Sequence, residues 1–359
     1  VSGSNEGRAY IGSFTSSGGL GIIAADVDGK TGALTVRGVS DAVADPSYLA
    51  LAPDGSVLYA VSEKEEGAAA AFRIPGPDAR TGHDSAAGTP RLIGEPVPVC
   101  GAGPTHLALV GGHLVTANYG SGSVTVLPVH ADGGLGAASG ILQHEGAGPH
   151  PDRQRGPHAH QVLADPSGRW IVSVDLGTDS VRVCVLDPAT GELLPHGETP
   201  LPPGAGPRHL AFHPEGTHAY LLNELEQSLA LCRWDAENGV LEPVAVTRVL
   251  PEDERAESFG SEVVVSRDGR FVWTANRGLD TISVLTLDAT RERAELVATV
   301  GCGGRWPRDL ALGPGGDRLY AANEHSGDVT WFDIDPLTGI PSPAGSLEVP
   351  AASCVIFGP

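Results

Sequence analysis

The sequence predicts an all-β protein, a seven-bladed β-propeller with four antiparallel strands per blade, closed by strands from both termini. Three observations lead there. A seventeen-residue phrase recurs five times with Gly at its ninth place, further β-type runs follow each copy, and each end of the chain holds an incomplete unit. Helical periodicity is absent.

The phrase reads "SYLALAPDGSVLYAVSE" at 47–63, "HQVLADPSGRWIVSVDL" at 160–176, "RHLAFHPEGTHAYLLNE" at 208–224, "SEVVVSRDGRFVWTANR" at 261–277 and "RDLALGPGGDRLYAANE" at 308–324. A shorter-turned version, "THLALVGGHLVTANY", fills 105–119. In each, two apolar runs flank a tight turn, the pattern of an antiparallel hairpin. A third run follows, such as "SVTVLPV" (123–129) or "TISVLTLD" (281–288), then a turn like "TGEL" or "ENGVL" and a fourth run. Unit starts lie 58, 55, 48, 53 and 47 residues apart, near the roughly 50 of kelch-like blades. These six hairpins open blades 1 to 6. The tail "ASCVIFGP" reads as a first strand without a partner, and "AYIGSF", "LGIIAADVD" and "ALTVRGV" as three strands without a first. Joined, they make blade 7 and remove the exposed edges of an open array. Residues 1–359 are therefore expected to form a single propeller domain.

Bulk composition narrows the function. With 49 Gly and 29 Pro spread along 359 residues, the chain has many turns rather than one disordered tail. A formal charge of -21 sets most of the surface against nucleic acid and anionic membranes. No apolar run approaches the roughly 20 residues that cross a bilayer, and the start "VSGSNEGRAYIGSF" has neither a basic segment nor an apolar core of a signal. Cys100, Cys184, Cys232, Cys302 and Cys354 are odd in number and widely spaced, as in a reducing compartment, so a cytoplasmic location is expected. Oligomeric state is not legible.

Because the two strands of each hairpin are antiparallel, the first and last residues of every phrase share one rim. The first strand is innermost in a propeller, so these positions border the central channel. The first place reads Ser47, Thr105, His160, Arg208, Ser261, Arg308 and Ser353 round the ring, and the last reads Glu63, Tyr119, Leu176, Glu224, Arg277 and Glu324. Charge gathers in blades 3 to 6, through His160, Arg208, Glu224, Arg277, Arg308 and Glu324, opposite a half that offers hydroxyls and Glu63. The penultimate place repeats Asn118, Asn223, Asn276 and Asn323, with Ser62 and Asp175 as exceptions, and is read as a structural tie at strand ends. The loop "HEGAGPHPDRQRGPHAH" (144–160) brings His150, Arg153, Arg155 and His158 towards the rim, and "GGRWPR" brings Arg305, Trp306 and Arg308. Clustered arginines hold carboxylate or phosphate bidentately, so the expected partner is a small anionic substrate, with His158, Arg155, Glu63, Arg308 and Glu324 as contacts. The plainer alternative is that Arg208–Glu224 and Arg308–Glu324 are ion pairs within their own blades.

"GPHAHQVLADPSGRWIVSVDLGTDSV", "GAGPRHLAFHPEGTHAYLLNEL" and "WPRDLALGPGGDRLYAANE" resemble the seven-bladed lactonase family, which includes the propeller-type 6-phosphogluconolactonases and the fungal 3-carboxy-cis,cis-muconate lactonizing enzymes. The resemblance runs along nearly the whole chain and is strongest from 155 to 335. It implies that His160, Arg208, Glu224 and Arg277 form the catalytic group of an active-site cleft. Lactone hydrolysis needs a base for water and donors for an oxyanion. Glu224 or His160 would move the proton, while Arg208 and Arg277 would hold the anion. A cyclase making a lactone from a muconate would use the same groups, and a non-catalytic propeller binding a small anion is the third reading. No zinc-ligand spacing, GxSxG or serine triad is present, so neither metal nor cofactor is expected. His106, His158, His209 and His213 lie in or beside strands and are read as packed or solvated rather than metal-bound.

Overall fold

The structure is a computed structural model that describes residues 7–76 and 88–358. Among them, seven four-stranded antiparallel sheets stand round a central axis. In blades 1 to 6 the chain runs from the innermost strand outwards. Blade 7 is closed as expected: Ala352–Gly358 is its innermost strand and pairs with Gly7–Ser13, followed by Ile22–Val27 and Leu34–Ser40. Its register places Ala9 opposite Phe357 and Ile11 opposite Val355. Each phrase forms a hairpin, as in Pro207–Phe212 with His218–Asn223 in blade 4. The ninth-place glycines all turn through positive φ, from 70° to 76°, which a side chain would oppose.

Second strands are mainly apolar because each is buried on both faces. In His218–Asn223, Ala219 and Leu221 pack towards blade 3, while Tyr220 and Leu222 pack towards blade 5. Alternate side chains leave a strand on opposite faces, so neighbours in sequence feed different inter-blade layers. The seven hydrophobic clusters each join two adjacent blades. The ring is thus held by lateral packing. At the mouth end, the Asn side chains tie second strands to third: Asn118 Nδ2 donates to Ser123 Oγ and Thr125 Oγ1, and Asn276 Nδ2 donates to Thr281 Oγ1 and Ser283 Oγ.

The site depends on a break in this regularity. Between first and second strands the register shifts at Thr105, His160, Arg208, Ser261–Glu262 and Arg308, and blade 7 shifts at Ser353. These are β-bulges, where an extra residue re-aims a side chain. The bulged residue is the first place of the phrase. Its side chain can then reach the next blade: Thr105 Oγ1 donates to His160 O (3.0 Å), Arg208 Nη1 to Ser261 O, and Ser261 Oγ to Pro307 O (2.6 Å).

Candidate active site

Glu224 is the centre of the mouth. Its Oε2 lies 2.8 Å from Arg277 Nη2 and 3.3 Å from Arg208 Nε, and its Oε1 lies 2.5 Å from Arg153 Nη2. The hairpin makes Arg208 and Glu224 neighbours, as the sequence implied, but the pair is not confined to blade 4. Arg277 arrives from the last residue of the blade 5 hairpin, and Arg153 from the loop before blade 3. Glu224, Arg208 and Arg277 are 2%, 3% and 7% exposed, so their charges act through little water. Burial would raise the Glu224 carboxyl, but Arg277, Arg208 and Arg153 hold it down at about 2. Burial and Arg277 lower the Arg208 guanidinium to about 9, which leaves it charged at neutral pH. Burial pushes the His160 imidazole well below its usual range, and Arg208, His209, Arg308 and Arg277 push it further, so the ring is neutral.

The two departures of blade 3 from the common phrase explain how Arg153 is held. Asp175 stands where blades 2, 4, 5 and 6 have Asn, and its carboxylate accepts from His144 Nδ1 (2.7 Å), His158 N and Thr178 N. An amide could not accept all three as well. Leu176 is buried, and its carbonyl accepts from Gln154 Nε2, which also donates to Asp179 Oδ1 at 2.7 Å. His158 Nδ1 donates to Tyr119 O. With its ends and Gln154 pinned, the loop turns Arg153 into the mouth. Arg155 corrects the expectation of a substrate contact: its side chain is 76% exposed and bonds Asp152 and Pro151 O, because the same turn that points Arg153 inward points Arg155 out.

Arg308 spans two blades, 3.5 Å from Glu324 and 3.6 Å from Glu63 of blade 1. Glu63 also accepts from Ser47 Oγ at 2.5 Å. Four guanidiniums therefore face three carboxylates at one opening. Aromatic rings floor and flank them: Phe14 lies under Arg308, Trp306 under Arg277, Trp306 stacks on His325 at 4.6 Å, and Tyr119 stacks on His158 at 4.3 Å. Tyr119 also meets His160 edge-on and accepts from Arg153 at its hydroxyl. Trp306 holds φ at 64°, a strained conformation for a large residue.

His160, Arg208, Glu224, Arg277, Arg308, Glu324, Glu63 and His158 are thus brought to one mouth and Arg155 is not. Sequence reasoning named the loops carrying Arg153 and Trp306 without choosing those residues, and it missed a second layer below the rim. Tyr48 of blade 1 meets His209 of blade 4 at 6.3 Å, and His209 meets His106 of blade 2 at 5.4 Å. Contacts between such distant blades require these second-place residues to reach the axis too. Strict alternation sends first and second residues to opposite faces, so only the bulge, which leaves no mark in the sequence, could have revealed them. Among the described residues, no group of three or more His, Cys, Asp or Glu is arranged to hold a metal ion, and no helix is long and apolar enough to cross a membrane.

The family described as Lactonase, 7-bladed beta-propeller, matches residues 8–357. A 6-phosphogluconolactonase of Bacillus subtilis (strain 168) is 33% identical over 355 residues, covering 97% of each chain. A 6-phosphogluconolactonase of Formosa agariphila is 28% identical over 343 residues, 92% of this chain and 93% of the other. The structure of a periplasmic gluconolactonase from Pseudomonas aeruginosa superposes with a TM-score of 0.90 at 30% identity, over 98% of this chain and 99% of that one. The chain belongs to the seven-bladed β-propeller lactonase family.

Proposed function

We propose that this mouth hydrolyses a sugar lactone carrying negative charge, such as 6-phosphogluconolactone, and that it does so in the cytoplasm. The observation that carries this reading is the convergence of Arg153, Arg208 and Arg277 on one buried carboxylate beside a neutral imidazole. A carboxylate held at about 2 is a poor base for water. Proton transfer therefore falls to His160, and Glu224 serves to fix the guanidiniums and to orient the attacking water. His160 takes a proton as water adds to the carbonyl, the arginine N–H groups face the oxyanion, and the proton returns to the ring oxygen as the ester bond breaks. The substrate's own charge helps. An anion beside Arg277 and Arg308 offsets the field that depresses His160 and makes it a stronger base once substrate is in place. All five cysteines are unpaired, which favours a reducing compartment; cell fractionation tests this separately, since one relative is periplasmic.

The activity test compares initial rates, above spontaneous hydrolysis, on 6-phosphogluconolactone, gluconolactone and 3-carboxy-cis,cis-muconate. Turnover of the sugar lactones, reduced on the order of 10²–10⁴-fold in His160→Asn with KM little changed, supports the assignment. Turnover of the muconate alone makes the protein a cyclase. Anion binding without turnover of any of the three makes it a binding propeller.

A further inference from the structure

Under the mouth lies a polar group that the reaction above does not use. His209 Nδ1 and Glu262 Oε2 share a hydrogen bond of 2.7 Å, and the Glu262 carboxyl is within hydrogen-bonding reach of Asp309. Backbone N–H groups fix the carboxyls: Val263 N donates to Glu262 Oε1 at 2.9 Å, and Val355 N to Asp309 Oδ2 at 2.7 Å. His209, Glu262 and Asp309 are 2%, 7% and 5% exposed. Two carboxylates so close and so buried do not both ionise. Burial pushes both acids up, Arg208 opposes it, and the pair holds one proton between two groups.

On the other side of His209, three imidazole nitrogens are buried without a partner: His209 Nε2, His160 Nδ1 and His106 Nδ1. The His160 and His209 rings are 5.1 Å apart, and those of His106 and His209 5.4 Å. Buried polar atoms of this kind are usually satisfied by water, and a small channel cavity that borders His209, Tyr48, Thr105, Arg208, Glu63 and Arg308, though neither His160 nor His106, has room for about one molecule.

We propose that His209, Glu262 and Asp309 form a proton-holding site beneath the mouth, joined to His160 by water at the unpartnered nitrogens of the His160 and His209 rings. Its purpose rests on the lactone reading, its existence does not. The physical need comes from the arginines. An imidazolium at His160 would stand among Arg208, Arg277 and Arg308, a costly place for a fourth cation. With His160 and His209 both starting as Nδ1–H tautomers, the proton taken at His160 Nε2 displaces the Nδ1 proton to the water. The water passes one to His209 Nε2, and His209 passes its Nδ1 proton to the ionised Glu262. Both rings end neutral in the other tautomer, the carboxyl pair ends with two protons, and the sequence runs backwards when the ring oxygen leaves. The charges facing this path are Arg208, Arg277, Arg308 and Glu224 above it. Tyr48 and Cys354, which border the carboxyl pair, are held uncharged by burial.

The test uses the whole protein and the variants Glu262→Gln, Asp309→Asn and His209→Gln. Without substrate, infrared titration should show a protonated carboxyl at neutral pH that Glu262→Gln or Asp309→Asn removes, and nitrogen NMR should show the His160 ring signals shifting in Glu262→Gln. With substrate, Glu262→Gln should lower kcat about tenfold or more while KM holds, and should alter the kcat–pH profile. No protonated carboxyl at neutral pH overturns the store. A protonated carboxyl with unmoved His160 signals and an unchanged kcat–pH profile overturns the link. If wild type turns over no lactone, the proposed reaction fails, and the spectroscopic arms still decide this site. Glu262→Gln keeps the shape of the side chain and one of the two acceptor oxygens used by His209 and Val263, so it serves if the other variants fold poorly.

Discussion

The two halves of the mouth use the same bulged positions for different ends. In blades 7, 1 and 2 the first-place residues are Ser353, Ser47 and Thr105, and the two with partners make single short-range bonds, Ser47 to Glu63 of its own hairpin and Thr105 to the next blade. In blades 3 to 6 the guanidiniums and carboxylates bridge blades, so that Glu224 is bonded from three separate stretches of chain and Arg308 from two. The bulge supplies the position in both halves, and the residue type decides whether it serves one blade or the whole site. The charged half should therefore carry binding and catalysis, and the hydroxyl half mostly geometry.

Glu224→Gln should give the largest effect, because three guanidiniums lose their common counter-charge. Turnover should fall on the order of 10²-fold or more as the arginines lose their alignment, and breaking the buried pair should cost stability at neutral pH by about 3 kcal/mol. The pH dependence supplies a sign. Glu224 is lowered from 4.5 to about 2 in the folded protein, so its contribution is present above the unfolded value and is lost as pH falls towards 2. Thermal melts should show wild type and variant far apart at neutral pH and converging between these two values. A variant that melts like wild type at neutral pH would show that Glu224 is not the hub of the charged half.

Arg308→Gln should come next. The Arg308 side chain is 18% exposed and held at 3.5–3.6 Å by its two carboxylates, longer contacts than those at Glu224, so its loss should lower the melting temperature less than Glu224→Gln does. Removal of a charge-assisted bond to an anion should raise KM for 6-phosphogluconolactone on the order of tenfold or more. Gluconolactone, which has no phosphate, should be much less affected, and the ratio of the two KM changes is the measurement. Equal changes would place the substrate's charge elsewhere in the mouth.

The ring of blades was legible because lateral packing imposes the same apolar phrase on every unit, down to the orphan strand "ASCVIFGP" and its partners at the other terminus. The rim was legible for a related reason: hairpin geometry puts Arg208 beside Glu224 whatever else the chain does. What escaped depends on local irregularity. Arg153 and Arg155 are two residues apart in an irregular loop, and only the bonds of Gln154 and His158 decide which one faces in. His209, Glu262 and Asp309 escaped because period-two alternation misplaces any residue that follows a bulge.

Trp306→Gly separates strain from function within the charged half. In blades 2 and 4 the residue before the first-strand proline is Gly103 or Gly206, at φ 55° and 59°, whereas blade 6 puts Trp306 there at 64°. Such strain costs on the order of 1–3 kcal/mol, and glycine would relieve it while the indole's contacts with His325 and Arg277 are lost. The melting temperature should therefore change little for the loss of so large a side chain. KM should rise several-fold if the indole borders the bound sugar. A clear gain in stability with unchanged kinetics would make the indole irrelevant to the site.

Thr105→Val should have the smallest effect and is the direct probe of the hydroxyl half. The methyl keeps the volume, so what is lost is the 3.0 Å bond from Thr105 Oγ1 to His160 O, worth about 1 kcal/mol. That bond runs to the carbonyl of the proposed base, not to its ring, so it can affect only how firmly the bulge at His160 is held. Substrate affinity should be unchanged, because no charge is removed, and kcat should drop no more than a few-fold through looser placement of the imidazole. Both kinetic constants, measured beside those of Arg308→Gln on one anionic lactone, decide the comparison. A rise in KM as large as that of Arg308→Gln would mean that the hydroxyls bind substrate directly and that the mouth works as one undivided ring.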